Sequence, residues 1–431
     1  MNLSNKGQWQ TLNLKWWSVL LILFPILLYY TWVCFWGIDC PQLDDFAVLT
    51  TIVDINKAIT LKEELEIWFT PHNEHRIVFT RLIFWLVGTT DNGAVDIYKV
   101  LLIGNLTLIG LASIFYRAIC QMQQSWVYAL AISYTLFQMQ FFENTFFGMA
   151  AVQNIGIYLW LGLSCWNIAQ VPQCSKKLLW AFVFGIFATF TSGNGMVVFP
   201  AGAITLWIAG SRKASIIWTI GGFIVILIYL SGVQHQSHNS SPVQILQGSM
   251  GYLGSLTGVS TGKWIPIIAG SIIVMIGIIL NLNLVFAQFI SIQVFSKPVQ
   301  LFLFAFFIAM IATGCMISMN RDVVLAISTP RYKIGSAVVG CLIILMIANT
   351  RISQHFSYLI GLACAVGSSL FCFMTYYKMT PIIKANQLVY LSNIQAFRQK
   401  TLGQAHPPIL FEKEWYEVWK AGKWDFPENK N

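Results

Sequence analysis

Asp44 and Asp45 are the first residues of this chain whose type and position could do chemistry, because they follow directly on a long apolar run. A carboxylate at such an edge can take a proton from an attacking hydroxyl, or hold a divalent metal beside a phosphate leaving group. The pair would also serve simply as a solvated helix N-terminus. His72, Asn73, Glu74, His75 and Arg76 form a second cluster, just before the chain turns apolar again. On a helix His72 and Arg76 would share a face, with His75 adjacent. The guanidinium could then bind a phosphate while a His or Glu handles a proton. Two histidines beside a Glu also invite a zinc reading, but their spacing is not that of a metalloprotease helix. Interfacial anchoring is the plainer alternative.

Arg321, Asp322, Arg331 and Tyr332 make a third cluster, within NRDVVLAISTPRYKIG. An arginine level with a membrane surface suits a lipid-linked phosphate through bidentate hydrogen bonds, or it anchors a helix end. Glu143-Asn144, Gln153-Asn154 and the turn Thr191-Ser192-Gly193-Asn194-Gly195 are polar groups bounded by apolar runs. Polar groups at membrane depth are costly and are kept for function or for interhelical contact, although Asn-Gly is also a plain turn signal. They read as cavity lining, not as catalysts. His235 and His238 read as solvated loop residues.

The elements that must position these groups follow from composition. The chain has 431 residues, 56% hydrophobic and 10% charged, with a mean hydropathy of +0.65. A soluble domain carries about 25% charged residues, so this is a polytopic membrane protein. Apolar runs recur at 16–37, 99–116, 125–142, 153–170, 178–191, 195–210, 214–231, 265–289, 299–319, 333–349 and 355–376, with 77–89 as an extra. The expected fold is therefore all-α, with about 11–12 transmembrane helices, since a lipid-exposed backbone must satisfy its own hydrogen bonds. The first run is too long, and too rich in Trp and Tyr, for a cleavable signal, and is expected to remain as an anchor. Its nine cysteines do not read as a disulfide framework: most lie in apolar helices, and Cys40 has no evident partner on the outer side.

The net charge of +9 does not point to nucleic acid, because of where the charges fall. Lys6, Lys15, Arg117, Lys176, Lys177, Arg212, Lys213, Lys297 and Arg351 occupy the N-terminus or turns without an acid. These are positive-inside markers, which puts every Asp and Glu on the opposite, outer side. Residues 1–15 are then a cytoplasmic lead, 16–376 the transmembrane domain with 38–76 as its first outer loop, and 377–431 a short polar outer tail. Eight of the seventeen acidic residues lie in that first loop. Asp44 to Ala58 reads as a helix along the membrane surface, and Thr60 to Glu63 as a capping box opening a helix to Phe69. Segment 77–89 is short and is expected to be re-entrant or tilted without changing sides. The glycine-rich loop 232–264 reads either as a mobile flap or as a packed re-entrant stretch.

With these pieces in place the pattern resembles the polytopic glycosyltransferases of the C-type fold (GT-C), including protein mannosyltransferase-like and lipid A aminoarabinose transferase-like enzymes. The resemblance is carried by Asp44-Asp45-Phe46, His72 to Arg76, Glu143-Asn144 with Gly148 and Gln153, Ser192 to Gly195, and Pro330-Arg331-Tyr332. It implies a bacterial inner-membrane protein whose site faces the periplasm. The donor would be a polyprenyl-phosphate-linked sugar and the acceptor a glycan, lipid or protein. It also implies Asp45 (or Asp44) as base and Arg331, with Arg321, as holders of the donor phosphate. No cofactor is called for, though a divalent metal would suit the carboxylates. Two other classes compete. A polysaccharide polymerase or ligase would want arginines in a large outer loop, and 232–264 has none. A transporter or lipid flippase would want charges at mid-helix, whereas these sit at helix ends.

Overall fold

A computed structural model describes residues 16–73, 75–233, 240–258, 262–289, 298–350, 352–410 and 412–425, the side chains of 283–289 excepted. The lead 1–15, Glu74, His235, His238, Lys297 and Arg351 lie outside the described residues. The regular elements of the described residues are all helices. They are α1 (Trp16–Trp36), α2 (Asp45–Lys57), α3 (Leu61–Phe69), α4 (Val78–Thr90), α5 (Ile97–Met122), α6 (Trp126–Leu136), α7 (Phe142–Phe146), α8 (Gly148–Ala150), α9 (Gly156–Ile168) and α10 (Lys177–Thr191). There follow α11 (Val198–Ile208), α12 (Arg212–Leu230), α13 (Pro242–Leu253), α14 (Trp264–Phe289), α15 (Pro298–Asn320), α16 (Val323–Ser328), α17 (Lys333–Ala348), α18 (Gln354–Thr401) and α19 (Glu412–Lys420). Among the described residues seven helices are long and apolar enough to cross a membrane, with four shorter apolar helices beside them. Seven is fewer than the 11–12 expected, because several apolar runs are interrupted by irregular turns.

Segment 38–96 leaves the bundle and returns to the same end. The backbone N–H of Ile97, at the start of α5, donates to Asp39 Oδ1 at 2.8 Å, and Gly37, just past α1, abuts the ring of Tyr98. Helix α4 therefore does not carry the chain to the other end, as its short apolar length implied. The end that bears residues 38–96 is termed the outer end.

Two apolar cores result. The larger joins α1, α5, α6, α9, α11, α15 and α17. The smaller is an outer cap in which Phe46, Val48, Leu49 and Ile52 of α2 meet Phe84 and Val87 of α4 and Phe397, Trp415 and Trp424 of the tail. Helix α2 thus buries its apolar face against protein, not along a membrane surface. The carboxy-terminal polar region does not begin at a break: α18 runs unbroken from Gln354 to Thr401, about 70 Å at 1.5 Å per residue. That exceeds a hydrocarbon core of about 30 Å, so α18 projects past the bundle and its end folds over the cap. Val95 N–H donates to Lys423 O at 2.8 Å, which pins the tail there. The capping box on α3 forms as the sequence implies: Glu63 N–H donates to Thr60 Oγ1 at 3.2 Å, and Glu63 Oε2 accepts the Thr60 N–H. All nine cysteines are free.

Candidate functional site

Three departures from regular helix border one cavity at the outer end. Ala151–Ile155 forms a π turn, and Gly193–Val197 and Pro330–Tyr332 form 3-10 turns. Irregular backbone at membrane depth is tolerated where it lines a cavity, and π turns recur at functional sites because they re-aim side chains. Here they present Gln153 and Asn154, Asn194, and Arg331 and Tyr332 to a common space of about 190 Å³.

Asp44, His72, Asn73 and His75 reach the same cavity from the first loop. The 72–76 segment is not the helix on which His72 and Arg76 would share a face. His72 and His75 exchange both backbone hydrogen bonds, at 2.7 and 2.9 Å, in a tight turn that holds Asn73 at a φ of +51°. The turn puts both imidazoles on the cavity. Gly193 makes room for it, since a Cβ there would lie 2.9 Å from Tyr229 Oη and 3.0 Å from His75 Nδ1. His72 Nε2 stands 3.7 Å from Asp44 Oδ1. This imidazole holds the Asp44 carboxyl below the usual carboxylate range, with Arg331 and His75 adding to the effect and burial opposing it.

Its neighbour Asp45 is committed elsewhere. Its side chain is 0% exposed and accepts the backbone N–H of Gln42 at 3.0 Å and of Met149 at 2.7 Å. Burial pushes its carboxyl up to about 8 despite these two donors. Asp45 clamps the first loop to the start of α8, and Asp44 is the carboxylate that faces the cavity.

Arg76 also lies away from it. The Nε donates to Tyr229 O at 2.8 Å, the two terminal nitrogens to Phe69 O and Ser231 O, and the backbone N–H to Tyr229 Oη at 3.0 Å. A cation there satisfies carbonyls at the C-terminal ends of α3 and α12, where the helix dipoles favour positive charge. It is a tie between the first loop and α12, each of its three guanidinium nitrogens engaged by a main-chain carbonyl. Arg81 does the same for α3, donating to Trp68 O at 2.8 Å and Thr70 O at 2.6 Å.

The third cluster does face the cavity. Arg321 Nε donates to Tyr332 Oη at 3.3 Å, and Arg331 Nε lies 3.7 Å from Glu143 Oε2. Asn144 positions this arginine from behind: its Nδ2 donates to Arg331 O at 2.7 Å, while its Oδ1 accepts from Asn154 Nδ2 at 3.0 Å. Gln153 Nε2 donates to Ser192 Oγ at 3.4 Å. Ile157, Leu230, Met316 and Ile317 make the apolar wall. Arg331 and Glu143 also border a second chamber of about 160 Å³, between the first loop and the projecting part of α18.

Of the residues singled out by sequence, Asp44, His72, Asn73, His75, Gln153, Asn194, Arg321, Arg331 and Tyr332 come together, and Glu143 stands next door. Asn144 supports from behind, and Asp45 and Arg76 are structural. Tyr229, Asn320 and Tyr158 also line the cavity. Nothing in their sequence context distinguishes them from interfacial aromatic or helix-end residues. Asn386, Gln387 and Tyr390 of the second chamber lay in what reads as a polar tail. Among the described residues no group of three or more His, Cys, Asp or Glu side chains is placed to hold a metal ion. Comparison with known protein families, with characterised proteins and with solved structures finds no match for this chain.

Proposed function

We propose that this membrane protein is a GT-C-like glycosyltransferase, moving a sugar from a polyprenyl-phosphate carrier to an acceptor hydroxyl at the outer, periplasmic face. One observation carries the reading: an ionised carboxylate and two guanidinium groups face a single cavity that has an apolar side as well as a polar one. The reaction needs that combination. The acceptor oxygen attacks the anomeric carbon, its proton passes to Asp44, and the bond from the anomeric carbon to the phosphate oxygen breaks with its electron pair. The lipid phosphate that departs gains negative charge, which Arg331 and Arg321 are placed to stabilise. Asp44 takes the base role in preference to Asp45, whose oxygens are engaged by backbone N–H groups. Ile157, Leu230, Met316 and Ile317 suit the isoprenoid end of the carrier. The acceptor hydroxyl can belong to a glycan, a lipid or a protein.

The test is to incubate the purified protein with labelled polyprenyl-phosphate sugars and a panel of saccharide, lipid and peptide acceptors and follow release of lipid phosphate. Wild type should release it, and Asp44→Asn should lower turnover about 10²–10⁴-fold, the usual worth of a general base, at unchanged protein level. Folded wild-type protein that releases nothing across a broad donor panel would sink the reading.

A further inference from the structure

The second chamber has a different chemistry from the first. Its walls come from Gln42 and Glu143, from the rings of Phe142 and Tyr390, and from the carboxamides Asn386 and Gln387 on α18. Gln387 is only 4% exposed, and its Oε1 has no hydrogen-bond partner among the described residues. A buried carboxamide oxygen without a partner costs about 1–3 kcal/mol, and such a cost is kept where a ligand's donor completes the group. Gln387 lies about 50 Å along α18 from Gln354 at 1.5 Å per residue, beyond a hydrocarbon core of about 30 Å, so the chamber opens among headgroups and water. Arg331 borders both chambers.

Carboxamides and a carboxylate hydrogen-bond to hydroxyls, and aromatic faces pack on the C–H faces of a sugar ring. Glu143 and Arg331, 3.7 Å apart, offset one another and leave the chamber without a net charge to hold an ionic occupant, and about 160 Å³ gives room for one ring but not for an extended peptide. We infer that this chamber is the acceptor subsite and that the acceptor is a neutral saccharide, its ring held by Gln387, Asn386 and Tyr390 with its reactive hydroxyl directed toward Arg331. This rests on the transferase reading above for the word acceptor, but saccharide binding can be tested without turnover.

The full-length protein in nanodiscs would be titrated with methyl glucopyranoside, mannopyranoside and galactopyranoside and with N-acetylglucosamine, followed by saturation-transfer NMR. At least one should bind. Gln387→Leu, of similar volume, should weaken it at least tenfold, and Asn386→Ala, at an exposed position, several-fold. Asp44→Asn, in the other cavity, should retain binding. Failure of every saccharide to bind overturns the inference, as does binding that both α18 variants leave unchanged. Saccharide binding on this map without lipid-phosphate release from any donor would sink the transferase reading and leave the chamber. Release without saccharide binding would do the reverse.

Discussion

Asp44 and Asp45 are adjacent in sequence and chemically identical, yet one faces a cavity beside His72 while the other is sealed under two backbone donors. The difference is the start of α2, where side chains one residue apart point about 100° apart around the axis. The buried one has a consequence for stability. Its carboxyl rises from the ordinary value, about 3.9 in an unfolded chain, to about 8 in the fold. Between those values the folded protein holds a proton that the unfolded chain has released. The stability present below about pH 4 is therefore lost as pH rises through about 8. Melting temperature in detergent should fall from pH 5 to pH 8.5 in wild type. Asp45→Asn should melt lower throughout, because its amide N–H₂ meets a backbone N–H, but with a flatter slope. Equal slopes would rule out burial of Asp45 as a titrating group.

Among the elements, the first loop is held to the bundle by charge at helix ends, not by apolar burial alone. Arg76→Met would strip the carbonyls of Phe69, Tyr229 and Ser231 of their donor, at about 1–3 kcal/mol for each acceptor left buried and unsatisfied. A clear drop in melting temperature is expected, with the donor KM of the surviving folded protein unchanged. A large rise in donor KM at constant stability would instead make Arg76 a phosphate ligand. The glycine-rich 232–264 stretch resolves in favour of packing where it is described. In Gly254 a Cβ would fall 2.1 Å from Pro266 O and 2.5 Å from Gly270 N, so α13 and α14 touch backbone to backbone, as small residues allow in membranes. Gly254→Val should destabilise the protein by about 1–3 kcal/mol through overpacking, read as a lower melting temperature. No change would mean that the two helices are not in contact.

For the whole molecule, the cap, the cavity and the projecting end of α18 share one end, while the turn between α9 and α10, with Cys174 exposed, joins the opposite ends of those helices. In intact cells an impermeant maleimide should modify Lys413→Cys, introduced on a background in which Cys174 and the other native cysteines are replaced. It should not reach Cys174 as the sole cysteine until the membrane is permeabilised. Labelling of both from the same side would overturn the orientation.

Much of this was legible in the sequence. Composition points to a membrane chain, since so few charges cannot cover a soluble surface, and the length of its apolar runs points to helices. Local signals were read correctly where their physics is local: the capping box at Thr60 needs only four residues. The chain's polar clusters also announced themselves, because an ionisable group beside an apolar run is expensive unless it is used or anchored. What only the tertiary structure decided is which members of each cluster meet. Arg76 and Arg331 look alike in sequence. One is spent on helix-end carbonyls and the other opens on a cavity, a choice made by partners more than 150 residues away in the first case and by Asn144 in the second. The second chamber was invisible for the same reason: its buried carboxamide lies on a polar stretch of α18 that acquires walls only when the first loop folds against it.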